Sequence, residues 1–371
     1  MTRKNNKLVR RQYKTVHTLC CIVFCMFTFL YLYFYQGDVL AMAQHVLSEG
    51  ATAYDSLIGA CVITLVLLLV HLFVYSVASL YRWLYWLTYL PSFLILAVIT
   101  DVDPGSGTQV YNYAWAWIAP LVLIVYSLMV NALGELDSLS KDLHAGSVLS
   151  KSMWINLLGI TLMMITVTGI AGTDVTLHHR MKMEKCISEG DFQGALEVGS
   201  GYAGTDASLT MLRAYALAAE GQLGERLFEY PLAGGSAALY PDGSGTATAM
   251  IYGGDIMRFI RSKRMGRRSV EADYHLCGLL MDCRIRQFAR EVQKYYSADS
   301  LMPRHYREAM FLYNDIAGKG NAVAADDEMS KRYSRFSALS KKYPDRSKLK
   351  AALSPDYKGT YWYYYVCRTS R

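Results

Sequence analysis

Five long apolar windows constrain this chain more than any other feature of its sequence. A bilayer core about 30 Å thick needs roughly 20 apolar residues, because a helix rises about 1.5 Å per residue. Inside lipid every backbone N–H and C=O must be bonded within its own segment, so each window predicts a transmembrane helix. The five windows are 16–35, 57–77, 83–100, 114–133 and 153–172.

The stretch around Arg82 separates the second window from the third. An arginine is costly to bury at the midplane of a bilayer, so one continuous long span is excluded there. We therefore expect these two windows to form a tight helical hairpin.

Charge divides the chain near residue 173. Hydrophobic residues make up 53% of the whole sequence, yet residues 173–371 hold 29 of the 38 Lys and Arg and 23 of the 31 Asp and Glu. This distribution predicts a cytoplasmic basic tail at 1–15, a transmembrane domain at 16–172 and an extracytoplasmic helical domain at 173–371. The cytoplasmic location of the basic tail follows from the distribution of Lys and Arg among the short loops.

Lysine and arginine in short loops predict which ends of the spans face the cytoplasm. The first 14 residues hold six of these residues, and Arg82, Lys141 and Lys151 lie in the other loops on the same side. The loops at 36–56 and 101–113 hold none. Nine basic residues against zero predict a cytoplasmic amino terminus, and five crossings then place the charged half outside.

Two features leave alternatives open. The small residues at 41–43 resemble a signal-peptide cleavage site, whereas the apolar run of about 20 residues before them favours an uncleaved anchor. Arg180, Lys182 and Lys185 follow the fifth span closely, where the charge rule disfavours them. Long domains translocate largely regardless of charge, so we keep the outside location.

Two segments of the charged half resemble each other. Residues 185–202 and 215–232 each contain a helix-period apolar run, then a glycine, then a second helical run. Gly190 and Gly221 lie 31 residues apart, close to the 34-residue period of tetratricopeptide repeats. A third unit is predicted at 275–296, where Asp282 or Cys283 falls about twice that period beyond Gly221.

Such units cannot bury their apolar faces alone, so they stack on one another. The predicted fold class is therefore all-α, with a five-span transmembrane helical bundle followed by a tetratricopeptide-like α-solenoid domain.

Partner-binding residues follow from the resemblance to tetratricopeptide repeats, in which the first helix of each unit lines the concave surface. This implies that Arg180 and Glu184 face a partner in the first unit, and that Met211 and Tyr215 do so in the second. Arginine pairs well with carboxylates, and tyrosine is a common interface anchor. The alternative is that Met211 and Tyr215 are core residues between stacked units.

A basic cluster follows these units and puts six charges in eleven residues. Outside the cytoplasm, such a cluster argues against nucleic acid as a partner. Anionic lipid headgroups, or an acidic polymer or protein of the cell envelope, would be attracted to it. The alternative is a solvated loop without a partner. The cluster consists of Arg258, Arg261, Lys263, Arg264, Arg267 and Arg268.

Catalytic and cofactor motifs are missing from the sequence. It contains no GxSxG, no HExxH and no phosphate-binding loop, and we predict no cofactor or metal. Asp101 and Asp103 lie just outside the third predicted span. Paired carboxylates at such a place suggest acid–base or metal chemistry on a lipid-linked glycan, although the "PGSG" that follows is typical of an ordinary turn.

Histidine and cysteine side chains allow two interpretations each. His71 in the second window is either a proton relay or a hydrogen-bonding contact to a neighbouring helix, and the second is favoured. Four cysteines lie in the charged half, where an oxidising compartment allows three full pairings or none. They are Cys186, Cys277, Cys283 and Cys367.

Several stretches occur in an order that resembles a polytopic membrane-protein family of Bacteroidota with a domain of unknown function. The resemblance implies an inner-membrane location in a two-membrane cell, so that the outside domain is periplasmic, and it implies no activity. We therefore predict a membrane-anchored helical-repeat binding or scaffold protein of the envelope, with the glycan enzyme as the alternative. The stretches include "TMLRAYALAAEGQLGERLFEYPLAG", "DYHLCGLLMDC", "PRHYREAMFLY" and "GTYWYYY".

Overall fold

The computed structural model confirms the all-α class. Two strands of two residues each, β1 (Arg264–Met265) and β2 (Arg268–Ser269), form an antiparallel hairpin, and Val102 and Tyr111 form an isolated β-bridge. The other described elements are helices, turns and loops. The chain divides into two compact units, Met1–Val175 and Thr176–Arg371. The structure describes residues 2–78, 82–102, 111–136, 151–171, 175–241, 248–251, 253–265, 268–296, 302–318 and 327–369.

The first unit holds the long apolar helices. Helix α1 continues into a π-helical turn at Tyr31–Tyr35, and a 3₁₀ helix at Arg82–Tyr89 runs directly into α4. The helices are α1 (Thr2–Leu30), α2 (Gly37–Leu47), α3 (Ser56–Val77), α4 (Leu90–Thr100), α5 (Trp115–Leu136) and α6 (Lys151–Ile170).

Within the described residues, four helical segments are long and apolar enough to cross a membrane, as in a multi-pass membrane protein. They are Lys14–Tyr35, Ser56–Val77, Trp115–Ala132 and Met153–Ile170. The third predicted window contains a shorter apolar helix, Leu84–Thr100, so the fifth span stays a prediction. Its first part is 3₁₀ helix, which rises about 2.0 Å per residue and therefore extends further than an α-helix of the same length.

Buried polar side chains tie the 3₁₀ helix to its neighbours. His71 is buried, with Nε2 3.1 Å from the Tyr85 hydroxyl and Nδ1 3.3 Å from Thr88 Oγ1. The backbone N–H of Trp86 donates to Asn156 Oδ1 at 2.9 Å. These contacts satisfy polar groups among apolar helices, so the hydrogen-bonding interpretation of His71 fits the structure.

Helices α7 to α17 form the second unit, with short 3₁₀ turns at Leu227–Glu229 and Gly235–Leu239. The helices are α7 (Val175–Ser188), α8 (Phe192–Glu197), α9 (Ala207–Ala219), α10 (Leu223–Arg226), α11 (Gly253–Ser262), α12 (Val270–Met281), α13 (Ile285–Tyr295), α14 (Arg304–Ile316), α15 (Asp327–Lys342), α16 (Arg346–Tyr357) and α17 (Tyr361–Arg368).

Three helix pairs of the second unit turn at residues that the 31-residue period indicated. Gly190, Gly221 and Cys283 have left-handed backbones with φ of 80°, 71° and 56°. In each turn the next residue donates its N–H to the carbonyl five residues earlier at 2.8 Å. This is the Schellman geometry that ends helices, and the left-handed position suits glycine. Helix α11 and the β-hairpin lie between the second and third pairs in the chain.

Helix α17 completes the core of the second unit. Trp362 is fully buried and donates its indole N–H to the carbonyl of Glu308 at 2.7 Å. The Glu308 carboxylate accepts hydrogen bonds from Tyr361 N at 2.7 Å and from His305 Nδ1 at 3.0 Å. The carboxyl-terminal aromatic residues therefore pack into the domain at this end.

Candidate functional site

Helix α11 separates apolar from basic side chains by its own periodicity. Ile256 and Ile260, four residues apart, are buried in the core of the second unit. Arg258 and Arg261 are exposed on another face of the same helix. This pattern is that of an amphipathic helix packed on a core, so the helix backbone that carries the two arginines is held in place on the surface.

A groove of about 790 Å³ runs beside α11. Pro241 and Met257 contribute to its walls, and the other lining groups are polar or are backbone. The volume lies within the roughly 300–1,000 Å³ that is usual for small-molecule sites. The polar and backbone lining comes from Thr248, Gly253, Gly254, Arg258, Arg261 and Ser262.

The groove lies within a basic surface. Lys263 and Arg264 follow α11 and are exposed, as are Arg258 and Arg261. Asp255 Oδ1 lies 3.7 Å from Arg258 Nη1, and the two side chains are 61% and 79% exposed. An ion pair this exposed is weak, and the four basic residues outnumber this carboxylate, so the surface is net positive.

The predicted partner-binding residues lie inside the domain. Arg180, Glu184 and Met211 are buried, and Tyr215 is half-buried. Arg180 Nε donates to Glu184 Oε1 at 3.2 Å. Met211 and the half-buried Tyr215 pack with the core of the second unit, which fits the core interpretation that the sequence also allowed.

Glu184 connects helix α7 to the groove. Its Oε2 accepts hydrogen bonds from the backbone N–H groups of Ala249 and Met250 at 2.9 and 2.7 Å. The neighbouring Thr248 lines the groove. A buried carboxylate that accepts several charge-assisted hydrogen bonds is a strong anchor, so Glu184 holds one wall in place.

Tyr215 packs against α11 on the side of the helix that faces the core. Its ring makes an edge-to-face contact with Phe259 of α11, with ring centroids 5.1 Å apart, and another with Phe192 at 6.0 Å. Such pairs contribute about 0.5–1.5 kcal/mol beyond the burial of their area. Burial raises the pKa of the Tyr215 hydroxyl, as does the nearby Asp255 carboxylate. Tyr215 therefore supports the helix that carries Arg258 and Arg261.

Other residues predicted for function occupy different surroundings. Asp101 Oδ2 accepts a hydrogen bond from the Trp115 indole at 2.7 Å, while Asp103 and Arg267 lie outside the described residues. For Arg268 the structure describes the backbone only. Within the described ranges, no group of three or more His, Cys, Asp or Glu is placed to hold a metal ion.

None of the four cysteines of the second unit, all within the described ranges, forms a disulfide in this structure. Cys277 is buried, and its Sγ lies 3.4 Å from the Tyr306 hydroxyl. Burial raises the pKa of the Cys277 thiol, which disfavours the reactive thiolate. This cysteine therefore behaves as a packing residue.

Apolar helices long enough to cross a membrane, joined in sequence to a helical unit with a basic groove, define the class: an all-α protein of the multi-pass membrane type. The chain belongs to the family described as "Family of unknown function (DUF6057)", which matches residues 110–258 and 264–368. No curated protein matches the chain, and no solved structure matches it.

Proposed function

We propose that this chain is a membrane-anchored binding or scaffold protein of the cell envelope. The apolar helices hold it in the membrane, and the domain that begins at Thr176 binds an acidic partner on the basic surface beside α11. The carrying observation is a groove of ligand size bordered by exposed arginines that have one weak carboxylate contact in the described structure.

The packing of the second unit supports a binding role. Glu184 and Tyr215 fix the groove wall and α11 from two different helices, so the basic side chains are presented on a firm support. Preorganised surfaces lose less free energy on binding, because fewer groups must be ordered. The helix pairs with Schellman turns favour a tetratricopeptide-like arrangement of the second unit.

The alternative enzyme acting on lipid-linked glycan gains no support from the described carboxylate. Asp101 caps the end of α4 and is held by Trp115, as expected of a residue that orders a loop.

We place the protein in the inner membrane, with a cytoplasmic amino terminus and a periplasmic domain. The support is the nine-to-zero distribution of basic residues among the short loops. The matching test is alkaline phosphatase fused after Arg371, which is active only outside the cytoplasm. An inactive phosphatase, together with fluorescence from green fluorescent protein fused at the same site, would contradict this orientation.

Charge reversal tests the binding role. The full chain, tagged and solubilised in an uncharged detergent, is used to capture its partner from membranes in three forms. These are the unchanged chain, Arg258→Glu with Arg261→Glu, and a control with Arg286→Glu and Arg290→Glu, an equally exposed pair on α13. The proposal predicts that the partner is retained by the unchanged chain and the control, and lost from the groove variant. Equal retention by all three would refute it.

A further inference from the structure

We propose that the groove beside α11 binds a phosphate group. This inference rests on the proposed function and names the chemistry of the ligand. Three observations carry it: the charge of the lining, the spacing of the two arginines, and the glycines at the start of the helix.

The charge of the lining favours an anion. Among the described residues that line the groove, Arg258 and Arg261 are charged and neither is opposed by an acidic lining residue. Asp255 Oδ1 lies 3.7 Å from Arg258 Nη1 with both side chains exposed, so this ion pair is weak. The two arginines of the lining therefore attract an anion and repel a cation.

The spacing of the arginines favours a ligand with several oxygens. Arg258 and Arg261 are three residues apart on α11, so their side chains project from neighbouring positions of one face. Each guanidinium offers N–H donors in a planar fork that matches two oxygens. A phosphate can meet two such forks at once, whereas a single carboxylate is fully used by one.

The start of α11 allows an anion to approach the backbone. Gly253 and Gly254 begin the ten-residue helix and line the groove, so these two positions carry no side chain of their own over the backbone, and Pro241 packs beside Gly253. Helix N-termini carry partial positive charge and free N–H groups. Here they add to the two arginines and do not form the site by themselves.

The phosphate has two possible sources, a lipid headgroup or a soluble phosphate compound. The last residue of α6 is Ile170 and the second unit begins at Thr176, so the link from an apolar helix to this domain is short. A tethered domain meets headgroups at high effective concentration, which makes lipid the source that we test first.

Binding to the full chain in an uncharged detergent tests the inference. Native mass spectrometry compares adducts of dioleoyl phosphatidylglycerol with those of dioleoylglycerol, which has the same acyl chains and no phosphate. Calorimetric titration uses inorganic phosphate, and a separate titration uses a poly-glutamate peptide. Each measurement is made on the unchanged chain, on Arg258→Gln with Arg261→Gln, and on the matched control Arg286→Gln with Arg290→Gln. Because these arginines are exposed, unchanged melting temperatures verify that the variants fold.

We expect a phosphate-bearing probe to bind the unchanged chain and the control at least about tenfold more tightly than the groove variant. A preference for phosphatidylglycerol over dioleoylglycerol identifies a lipid headgroup, and binding of inorganic phosphate alone identifies a soluble source. If neither phosphate probe depends on the two arginines while the peptide does, the phosphate inference is wrong and the acidic-partner proposal stands. If no probe depends on them and partner capture is also unaffected, both fail.

Discussion

Glu184 and Met250, 66 positions apart in the chain, are joined by a hydrogen bond of 2.7 Å from the Met250 N–H to the Glu184 carboxylate. The contact explains why a glutamate is buried on α7, because its second oxygen holds the segment that leads into α11. Glu184, which the sequence predicted as a partner-binding residue, thus holds the groove wall in this structure.

Removing the Glu184 carboxylate should loosen the groove wall. Glu184→Ala removes the buried partner of Arg180 and the acceptor of the half-buried N–H groups of Ala249 and Met250, at a cost of about 3–5 kcal/mol. Hydrogen exchange measured on the full chain should therefore rise across 249–262. The control is Glu197→Ala, an exposed glutamate on α8. Unchanged exchange across 249–262 would show that the wall does not depend on Glu184.

Acid should destabilise the second unit through Glu308. Burial raises the pKa of the Glu308 carboxyl. The hydrogen bonds from His305 and the Tyr361 N–H, together with the nearby Arg304 guanidinium, lower this pKa by more than burial raises it. The net pKa therefore lies below the ordinary 4.5. The folded state thus binds a proton less readily than the unfolded state. The resulting stability is present above pH 4.5 and is lost as the pH falls through the folded pKa.

Chemical unfolding of the full chain at several pH values measures this effect. The difference in unfolding free energy between the unchanged chain and Glu308→Gln should shrink as the pH falls below about 4.5. Glu328→Gln, at an exposed position, serves as the control. A difference that stays constant down to the acid limit would show that Glu308 does not contribute to acid sensitivity.

Gly190 should be required for its backbone conformation alone. It has φ of 80°, and a Cβ added there would meet nothing within 4 Å. Gly190→Ala should therefore cost about 1–2 kcal/mol from left-handed strain, without any clash. In a domain of this size that lowers the melting temperature by a few degrees, roughly 2–4 °C for each kcal/mol. Gly201→Ala, where the space is equally open and φ is not positive, should leave the melting temperature nearly unchanged.

The local sequence pattern predicted the helices and turns of this chain, but it did not predict most of the contacts between them. Apolar windows of about 20 residues indicated the long helices because the bilayer fixes their length, and the 31-residue spacing indicated turns at Gly190 and Gly221 because left-handed turn positions select glycine. Cys283 fitted the spacing despite being an unfavourable residue for such a turn. The 3₁₀ geometry of Arg82–Tyr89 has no comparable signal, since its apolar pattern also fits an α-helix.

Periodicity could not predict which segments pack over α7 and α9. This packing depends on contacts between residues far apart, such as Glu184 with Met250 and Tyr215 with Phe259. One signal was present: the stretch that begins at Gly253 alternates apolar and basic residues with a helical period, as a helix lying on a core must. The basic cluster was therefore identified from the sequence, while its support was not.

Photo-cross-linking in intact cells tests the central claim, that the surface beside α11 holds an acidic partner. A photoreactive residue replaces Ser262, which lines the groove at the end of α11, or the exposed Gln287 on α13 as the control, and adducts are detected by mass. The account predicts an adduct at position 262 that is lost when Arg258→Glu and Arg261→Glu are added, and no comparable adduct at position 287. Equal adducts at both positions, or an adduct at 262 that persists after the charge reversal, would contradict it.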